Sequence, residues 1–433
     1  MKSIGDYSFY GCSSLSNLEL SGGLESIGYN AFYGCNGLRE VVFPASVTSV
    51  SSYAFDACGN IRRVTVSECV LHNMSSVFGD SCKTITSLAI AEGVESIGSS
   101  FYNCDGLTSL SIPASVTRIG ESVFRYSCPA LSEITVAPGN ANYKFSGGLL
   151  LTKDGTEIVA VPRGRTWVSI PDTVTKIGRE TFNNCPNLNF TWRNGVKSID
   201  GWVLGCDEDD LPKNFTLSGY RGIANGAFSY CETLTSITIG EGVRSIGAYS
   251  FEDCYNLTSI SIPASVTHID DSAFDGCYRI SSINLSSGNK NYKYTGGLLV
   301  SADSTELVAA SRTATSVKIP EGVSCVRSGF FAGCTKLTSV TFPSSVEEIG
   351  DEGSVFGGWE EIDDDDDWYD KFHGCPALKT ITVAPGNQYY KSVNGLLLGM
   401  FDGDLFLKAV PQSLTSVNLN SSVEPFLRVA FAA

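Results

Sequence analysis

One phrase of 23 residues recurs along the chain, and it restricts the possible folds more than any other feature. A clear copy is LTSISIPASVTHIDDSAFDGC at Leu257–Cys277, and Leu234–Cys254 repeats it 23 residues earlier. Further copies lie at Leu38–Cys58 and Leu107–Cys128. A fixed period in the twenties built on L-x-x-I-x-I is typical of a solenoid, in which a single repeat cannot bury its own apolar face. We therefore predict a stack of coils that share one core.

Within the repeat, the alternation of apolar and polar residues predicts short strands. Ile260 and Ile262 alternate with serines, which is the pattern of a strand with one buried face. Pro263 ends this strand because it has no N–H to donate. A second extended run follows at 266–269, and Phe274 then fills the corner of the coil. Strands of successive coils are expected to pair in parallel about 4.8 Å apart.

A column of cysteines accompanies the repeat. Thirteen of the 15 cysteines fall three or four residues after the phenylalanine position, whereas Cys69 and Cys325 do not. The thirteen are Cys12, Cys35, Cys58, Cys82, Cys104, Cys128, Cys185, Cys206, Cys231, Cys254, Cys277, Cys334 and Cys375. We interpret them as buried free thiols that act as small apolar residues. Disulfides between neighbouring coils are the alternative, since the spacing falls within the range of a disulfide.

The full repeat, L-x-x-I-x-I-P-x-x-V-x-x-I-G-x-x-A-F-x-x-C, resembles the BspA-like leucine-rich repeats of bacterial and protozoan surface proteins. The resemblance covers nearly the whole chain. It implies a leucine-rich-repeat solenoid that is right-handed and curved, mainly β with short helical turns. It also implies adhesion to host or microbial proteins.

Composition and charge exclude several classes of partner. Lys+Arg 30 against Asp+Glu 46 gives a net charge of −16, which argues against nucleic acid and anionic membrane surfaces. No apolar run is long enough to span a membrane. The chain begins inside a repeat and shows no secretory signal, so we expect a fragment of a longer protein. We also expect a monomer.

Three inserts interrupt the repeats. The interval from Cys128 to Cys185 is 57 residues, and so is the interval from Cys277 to Cys334. Each insert begins with Gly-Asn-x-x-Tyr-Lys, which we interpret as a turn followed by an aromatic anchor. Two strands then flank a hairpin turn, which is Asp154-Gly155 in the first insert, weakened to Asp303-Ser304 in the second and kept as Asp402-Gly403 in the third. We interpret the inserts as structural spacers; a binding device is the alternative.

These observations predict one continuous solenoid over residues 1–433, divided by hairpin inserts. The predicted segments are a first repeat array at 1–134, an insert at 135–162, a second array at 163–283, an insert at 284–311, a third array at 312–381, an insert at 382–411 and a truncated last repeat at 412–433.

The third array contains an acidic loop at 357–372. Its centre, 359–370, carries eight carboxylates in twelve positions, and like charges at this density favour a solvated loop. Calcium binding is one alternative, although Trp368 stands where an EF-hand requires glycine. The other alternative is contact with a basic partner, with Trp359, Trp368 and Tyr369 as apolar anchors.

The sequence contains none of the motifs of a common enzyme class. It has no G-x-S-x-G, no phosphate-binding glycine loop and no H-E-x-x-H, and its three histidines are scattered. We therefore predict a protein that is not an enzyme, with no catalytic, cofactor or metal site. General acid–base chemistry requires a perturbed group in a cleft, and stacked sheets offer few clefts.

The outward face of the predicted strands is small, polar and mostly uncharged, which predicts an extended surface for weak or multivalent binding. The candidate ligand-binding residues are Ser109, Ser111, Ser236, Thr238, Ser259, Ser261, Ser339 and Thr341, together with Trp359, Trp368 and Tyr369 of the acidic loop. Alternatively, serine and threonine simply suit a closely spaced parallel sheet.

Three functions remain open at this level. The first is a cell-surface or secreted adhesion module that binds extracellular or host proteins, with glycans as a further class of partner. The second is a structural spacer for another domain. The third is an intracellular interaction scaffold, which the many unpaired thiols would suit.

Overall fold

The computed structural model describes residues 1–98, 101–120, 123–124, 127–350, 355–356, 358–360, 371–401 and 404–414 of the 433-residue chain. Two compact units are present, Met1–Phe190 and Thr191–Ala433. Each is a stack of coils joined by parallel strands, as the repeat predicts. The single continuous solenoid over 1–433 stays a prediction.

In the first unit, regular coils such as Leu38–Cys58 contribute one strand to each of two walls. The longer strands form a five-stranded parallel sheet, in which they lie side by side in chain order: Glu40–Val42, Arg63–Val66, Ser87–Ile90, Ser109–Ile112 and Glu133–Val136. The second wall consists of two-residue strands, Ser3–Ile4, Ser26–Ile27 and Ser49–Val50 in one ladder and Ser96–Ile97 with Arg118–Ile119 in another. We call these two walls the long-strand sheet and the short-strand ladder.

Two segments of the first unit depart from the regular coil. The coil that ends at Cys82 lacks the Pro-x-x-Val step and contains α-helices Glu68–Leu71 and Met74–Phe78 and a 3-10 helix, Gly79–Thr84. The first insert forms an antiparallel sheet of Tyr143–Ser146, Leu149–Thr152 and Ile158–Ala160.

The second unit repeats this plan. Its long strands form one sheet of Asn214–Leu217, Ser236–Ile239, Ser259–Ile262 and Ser282–Leu285 and another of Ser316–Lys318, Ser339–Phe342 and Thr380–Val383. Its short strands are Gly222–Ile223, Ser245–Ile246 and His268–Ile269, followed by Cys325–Val326 and Glu348–Ile349.

Antiparallel elements interrupt the second unit as well. The second insert consists of Tyr292–Thr295, Leu298–Ser301 and Leu307–Ala310, and the third of Tyr390–Val393, Leu396–Phe401 and Asp404–Ala409. Two further antiparallel groups are Thr191–Arg193, Val196–Ile199 and Trp202–Cys206, and the pair Gly358–Glu360 with Lys371–His373.

The core of each unit is a row of apolar side chains that repeats from coil to coil, and stacked phenylalanines mark its third wall. Phe228 and Phe251 lie with ring centroids 5.3 Å apart, and Phe251 and Phe274 lie 5.5 Å apart, each pair nearly parallel. The Phe251 N–H also donates to Ala273 O of the next coil at 2.9 Å. The phenylalanine turns of successive coils are therefore joined by backbone hydrogen bonds, although they are not β-strands. Burial of rings of this size dominates core energetics.

The cysteine column has a specific hydrogen-bonding role. The structure shows no disulfide among the 15 cysteines, all of which lie in its described residues, and it corrects the predicted burial at two column positions, since Cys12 is exposed and Cys206 is half-buried. The thiol of Cys254 donates to Phe228 O at 3.0 Å, and that of Cys277 donates to Phe251 O at 2.9 Å. Cys58 makes the same bond to Phe32 O at 3.0 Å. Each of these three thiols thus satisfies a buried carbonyl of the preceding coil, which an apolar residue of equal size could not do.

Each insert is fixed to the coil before it by one asparagine. The buried Asn140 donates from Nδ2 to Pro113 O at 2.9 Å and Val116 O at 3.0 Å. Its Oδ1 accepts from the N–H groups of Asn142 and Tyr143 at 2.9 and 2.8 Å. Asn289 and Asn387 repeat all four bonds in the other inserts. The Gly-Asn-x-x-Tyr-Lys motif is therefore a clamp as well as a turn.

The tyrosine of the same motif ends the short-strand ladder. The hydroxyl of Tyr292 accepts a hydrogen bond from the N–H of Ile269 at 2.6 Å. Ile269 belongs to the last strand of its ladder, whose outer edge would otherwise have no strand to pair with. Tyr143 and Tyr390 bond the N–H groups of Ile119 and Ile349 in the same way, at 3.1 and 3.0 Å. The predicted aromatic anchor thus also closes a sheet edge.

The structure corrects four details of the sequence interpretation. The inserts have three strands, because a Gly-Gly turn at 147–148 adds a hairpin before the predicted one. Ser304 adopts the left-handed conformation, φ 70°, so the second insert keeps the turn made by Gly155, φ 84°. Residues 191–206, within the predicted second array at 163–283, form antiparallel strands rather than a regular coil. The ends of the acidic loop pair as a ladder, with Trp359 opposite Phe372.

Candidate functional site

The candidate binding surface is the outward face of the long-strand sheets, since inward positions there are occupied by core residues. In Ser236–Ile239 and Ser259–Ile262 the isoleucines are buried, whereas the residues between them are exposed or half-buried. This alternation follows from the period of two in a strand. The face therefore presents two residues from each coil.

The structure brings four of the predicted residues together in the second unit. In the strand register Ser236 lies beside Ser259, and Thr238 lies beside Ser261. Asn214 extends the first row on one side, with its Oδ1 accepting from Ser236 Oγ at 2.7 Å. Asn284 extends the second row on the other side and donates from Nδ2 to Ser261 Oγ at 3.4 Å. The result is an uncharged face of four strands that carries hydroxyl and amide groups.

The remaining strand residues lie in two other sheets. Ser339 and Thr341 belong to the sheet of Ser316–Lys318, Ser339–Phe342 and Thr380–Val383, where Ser339 Oγ and Ser316 Oγ lie 2.8 Å apart. Ser109 and Ser111 belong to the sheet of the first unit. The predicted residues thus occupy three separate sheets rather than one row. The residues of the acidic loop are not placed with them: Trp368 and Tyr369 lie outside the described residues, and Trp359 lies on the short antiparallel pair.

The long-strand sheet of the first unit has a less uniform outward face. Arg63 and Glu40 form an ion pair at 3.2 Å, with both side chains more than half exposed. Val42 next to them is 49% exposed. Charge and apolar area interrupt the polar surface here, so the four-strand face of the second unit is the more regular candidate.

A cluster of exposed tyrosines in the first unit was not expected from the sequence. Tyr7, Tyr10, Tyr29 and Tyr53 are between 39% and 53% exposed. The rings of Tyr7 and Tyr29 lie 5.7 Å apart, and those of Tyr29 and Tyr53 lie 6.2 Å apart, edge to face in both cases. We call these four residues the tyrosine cluster. Its signal in the sequence is the repeated tyrosine within two residues of Ala-Phe or Ser-Phe.

The tyrosine cluster is held by backbone bonds between coils. The N–H of Tyr7 donates to Tyr29 O at 3.0 Å, and the N–H of Tyr29 donates to Asp6 Oδ1 at 2.7 Å. Tyr7 and Tyr53 have φ values of 57° and 60°, a left-handed conformation that is uncommon for bulky residues. Exposed tyrosines fixed in this way are typical of protein-binding surfaces, where they cost little side-chain entropy on binding.

Several shifted pKa values among the described residues have structural causes. Burial raises the pKa of the Cys58, Cys128 and Cys375 thiols to about 12, which keeps them protonated and unreactive. The pKa of Asp154 is lowered to about 2 by hydrogen bonds from Thr152 and Thr156, which stabilise a hairpin turn. Among the described residues, no group of three or more His, Cys, Asp or Glu is arranged to hold a metal ion.

Comparison with known proteins matches a family model described as "BspA type Leucine rich repeat region", with six copies over residues 2–135, 164–207, 211–295 and 308–356. No curated protein matches the chain. In the part of the chain that the structure describes, no helix combines the length and the apolar character needed to cross a membrane.

Several solved structures are similar. A leucine-rich repeat protein from Eubacterium ventriosum is 19% identical, with 81% of this chain and 86% of that chain covered and a TM-score of 0.30. The pneumococcal vaccine antigen PcpA is 18% identical, with 81% and 77% covered and a TM-score of 0.25. A leucine rich cell surface protein from Faecalibacterium prausnitzii is 21% identical, with 82% and 83% covered and a TM-score of 0.23.

Proposed function

Because the chain belongs to the BspA-type leucine-rich repeat family, we propose that it is a non-catalytic, cell-surface or secreted module that binds extracellular or host proteins through its outward strand faces. The leucine-rich repeat family is generally non-catalytic and serves protein interaction. The single observation that carries the proposal is the uncharged four-strand face of the second unit, with Ser236, Thr238, Ser259 and Ser261 in register.

This face suits a partner that makes many weak contacts. Its hydroxyl groups can both donate and accept hydrogen bonds, so they can meet the backbone of an extended segment. The face lacks charge, and on a chain of net charge −16 it is therefore a region where a neutral or acidic partner meets little repulsion. The tyrosine cluster of the first unit is a separate candidate surface, and it offers aromatic anchors.

Binding to immobilised extracellular matrix proteins and mucins, measured by biolayer interferometry, tests the proposal. We expect micromolar or weaker binding that becomes stronger when the chain is presented multivalently. The double variant Ser236→Glu/Ser259→Glu places two carboxylates on the face and should weaken binding about tenfold or more. The matched control is Ser287→Glu, in the exposed turn after the last strand of the same sheet.

The outcomes separate the candidate functions. Equal loss in the face variant and in Ser287→Glu would indicate a charge effect without a defined surface. If no binding is detected at micromolar protein concentration, adhesion is contradicted and a role as a structural spacer is favoured. Binding to mucins that disappears after deglycosylation would identify a glycan as the partner. Light scattering coupled to gel filtration tests the expected monomer in the same samples.

A further inference from the structure

Cys206 is an exception in the cysteine column. In a regular coil the cysteine lies eight residues after the isoleucine of the short strand, as Cys254 does after Ile246. In the coil of Cys206 the corresponding residue is Val203, which pairs with Ile223 of the next coil, and the cysteine follows only three residues later. This coil therefore has no Ala-Phe turn. Cys206 instead ends the strand Trp202–Cys206.

The missing turn changes the environment of the next cysteine. In the next two coils the thiol donates to the carbonyl of the phenylalanine in the preceding coil, as Cys254 does to Phe228 O and Cys277 does to Phe251 O. The coil that precedes Cys231 has no phenylalanine at the turn, so it offers no such carbonyl to the Cys231 thiol. Its Sγ lies 3.6 Å from Sγ of Cys206, and the Cys206 thiol donates to it. Two sulfur atoms thus meet where other coils place a sulfur and a carbonyl oxygen.

The two thiols also differ in accessibility and acidity. Cys206 is partly exposed, whereas Cys231 is 1% exposed. Donation from the Cys206 S–H lowers the pKa of Cys231 and raises that of Cys206. By contrast, Cys254 and Cys277 are fully buried, and both donate to backbone carbonyls. The accessible member of the pair can meet a reagent, and the buried member lies within reach to complete the reaction.

We propose that Cys206 and Cys231 are a site of reversible oxidative modification, at which a small-molecule disulfide joins two neighbouring coils by a disulfide bond. The Cys206 thiol first loses its proton to solvent, which its raised pKa makes slow at neutral pH, and the thiolate then attacks one sulfur of the reagent, whose S–S bond breaks and releases one thiolate. The Cys231 thiolate then attacks the Cys206 sulfur of the mixed disulfide and releases the second. The two cysteines lose two electrons and two protons, and the reagent is reduced to two thiols that take up those protons.

The second step requires only a small movement of the two sulfur atoms. The two sulfur atoms need to approach by about 1.5 Å, from 3.6 Å to a bonding distance of about 2.05 Å. The bond would close a loop of 25 residues and hold the short coil of Cys206 to the regular coil that follows it. It would therefore reinforce the stack at a step where the phenylalanine row is interrupted.

The test is oxidation of the full chain with glutathione disulfide, followed by acid quenching, alkylation of the remaining thiols in denaturant and peptide mapping. We expect a cross-linked peptide that contains both Cys206 and Cys231, formed on the order of tenfold faster than any link between Cys254 and Cys277 because access controls exchange. Reductant should remove the link and lower the melting temperature of the oxidised protein.

Two variants distinguish this site from general thiol reactivity. Cys206→Ser should abolish the cross-link and leave Cys231 resistant to alkylation in the native state, whereas Cys254→Ser should leave the cross-link unchanged. The proposal is wrong if glutathione accumulates on Cys206 without closure to Cys231. It is equally wrong if exposed Cys12 reacts while the pair stays reduced, or if Cys254 and Cys277 link as fast as Cys206 and Cys231.

Discussion

The regular coils and the hairpin inserts are held to their neighbouring coils by different kinds of contact. A regular coil such as Leu257–Cys277 is held along the stack, by parallel strands, by stacked rings and by thiol-to-carbonyl bonds from one coil to the next. The insert at 284–311 is an antiparallel sheet with local bonds, and Asn289 and Tyr292 join it to the preceding coil. The regular coils depend on the repetition of weak contacts, whereas the inserts depend on a few fully satisfied polar groups.

The largest expected effect is in the regular coils. Phe274→Ala should lower the free energy of unfolding by about 3–5 kcal/mol, because the ring is 4% exposed and stacks on Phe251. Hydrogen exchange should accelerate first in the coils that flank Phe274, since contacts in a stack are between neighbours. Phe9→Ala, at a ring that is 38% exposed, is the control and should cost clearly less. Uniform acceleration over the whole chain would contradict coupling between neighbours.

Removal of an insert clamp should have the next largest effect. Asn140→Ala leaves the carbonyls of Pro113 and Val116 without their donor and should cost about 2–4 kcal/mol. The control is Asn142→Ala, which keeps the backbone N–H that donates to Asn140 and should cost less than about 0.5 kcal/mol. Chemical denaturation of both variants gives the comparison. Equal costs would show that the asparagine is only a turn residue.

A smaller effect is expected from the edge of the ladder. Tyr292→Phe removes the acceptor of the buried Ile269 N–H and should cost about 1–2 kcal/mol while leaving the ring in place. Hydrogen exchange at the Ile269 amide should become faster. Tyr294→Phe, in the same insert but 41% exposed, should change neither quantity. An unchanged Ile269 amide would show that the ring, not the hydroxyl, supports the insert.

The smallest effect concerns the two insert turns. Ser304→Gly relieves the strain of a Cβ at φ 70° but removes the hydrogen bond from Lys293 Nζ to Ser304 Oγ, so the second insert should be stabilised by a net of only about 0.5 kcal/mol. The reciprocal change Gly155→Ser, at φ 84°, should destabilise the first insert by a similar amount. Thermal melting of the two variants should therefore move in opposite directions. A shift of the same sign in both would mean that the turns are not equivalent.

The solenoid could be predicted from the sequence because the residues that form its core recur at a fixed spacing. Ile260, Ile262, Phe274 and Cys277 each recur in column, and a period in the twenties permits few other folds. What could not be predicted are the features that depend on the direction of a single bond. The acceptor of a Cys277 thiol or the reach of Asn140 back to Pro113 is fixed only once coils are stacked.

The candidate site was predictable only as a pattern. The outward positions of Ser236 and Ser259 follow from the period of two, and the structure places them side by side. The division of the strand residues among three sheets follows the three predicted arrays, since each sheet belongs to a different array. The tyrosine cluster was missed because Tyr29 and Tyr53 fall in turns, where sequence alone does not indicate which side chains pack against each other.

The tyrosine-capped edges have a consequence for how such a chain changes in evolution. A sheet edge closed by the hydroxyl of Tyr143, Tyr292 or Tyr390 needs no strand from the segment that follows. Duplication or loss of an array together with its insert therefore leaves the preceding ladder closed and creates no new site for aggregation. The inserts mark the positions at which recombination can lengthen or shorten the protein in whole segments while each segment keeps its fold.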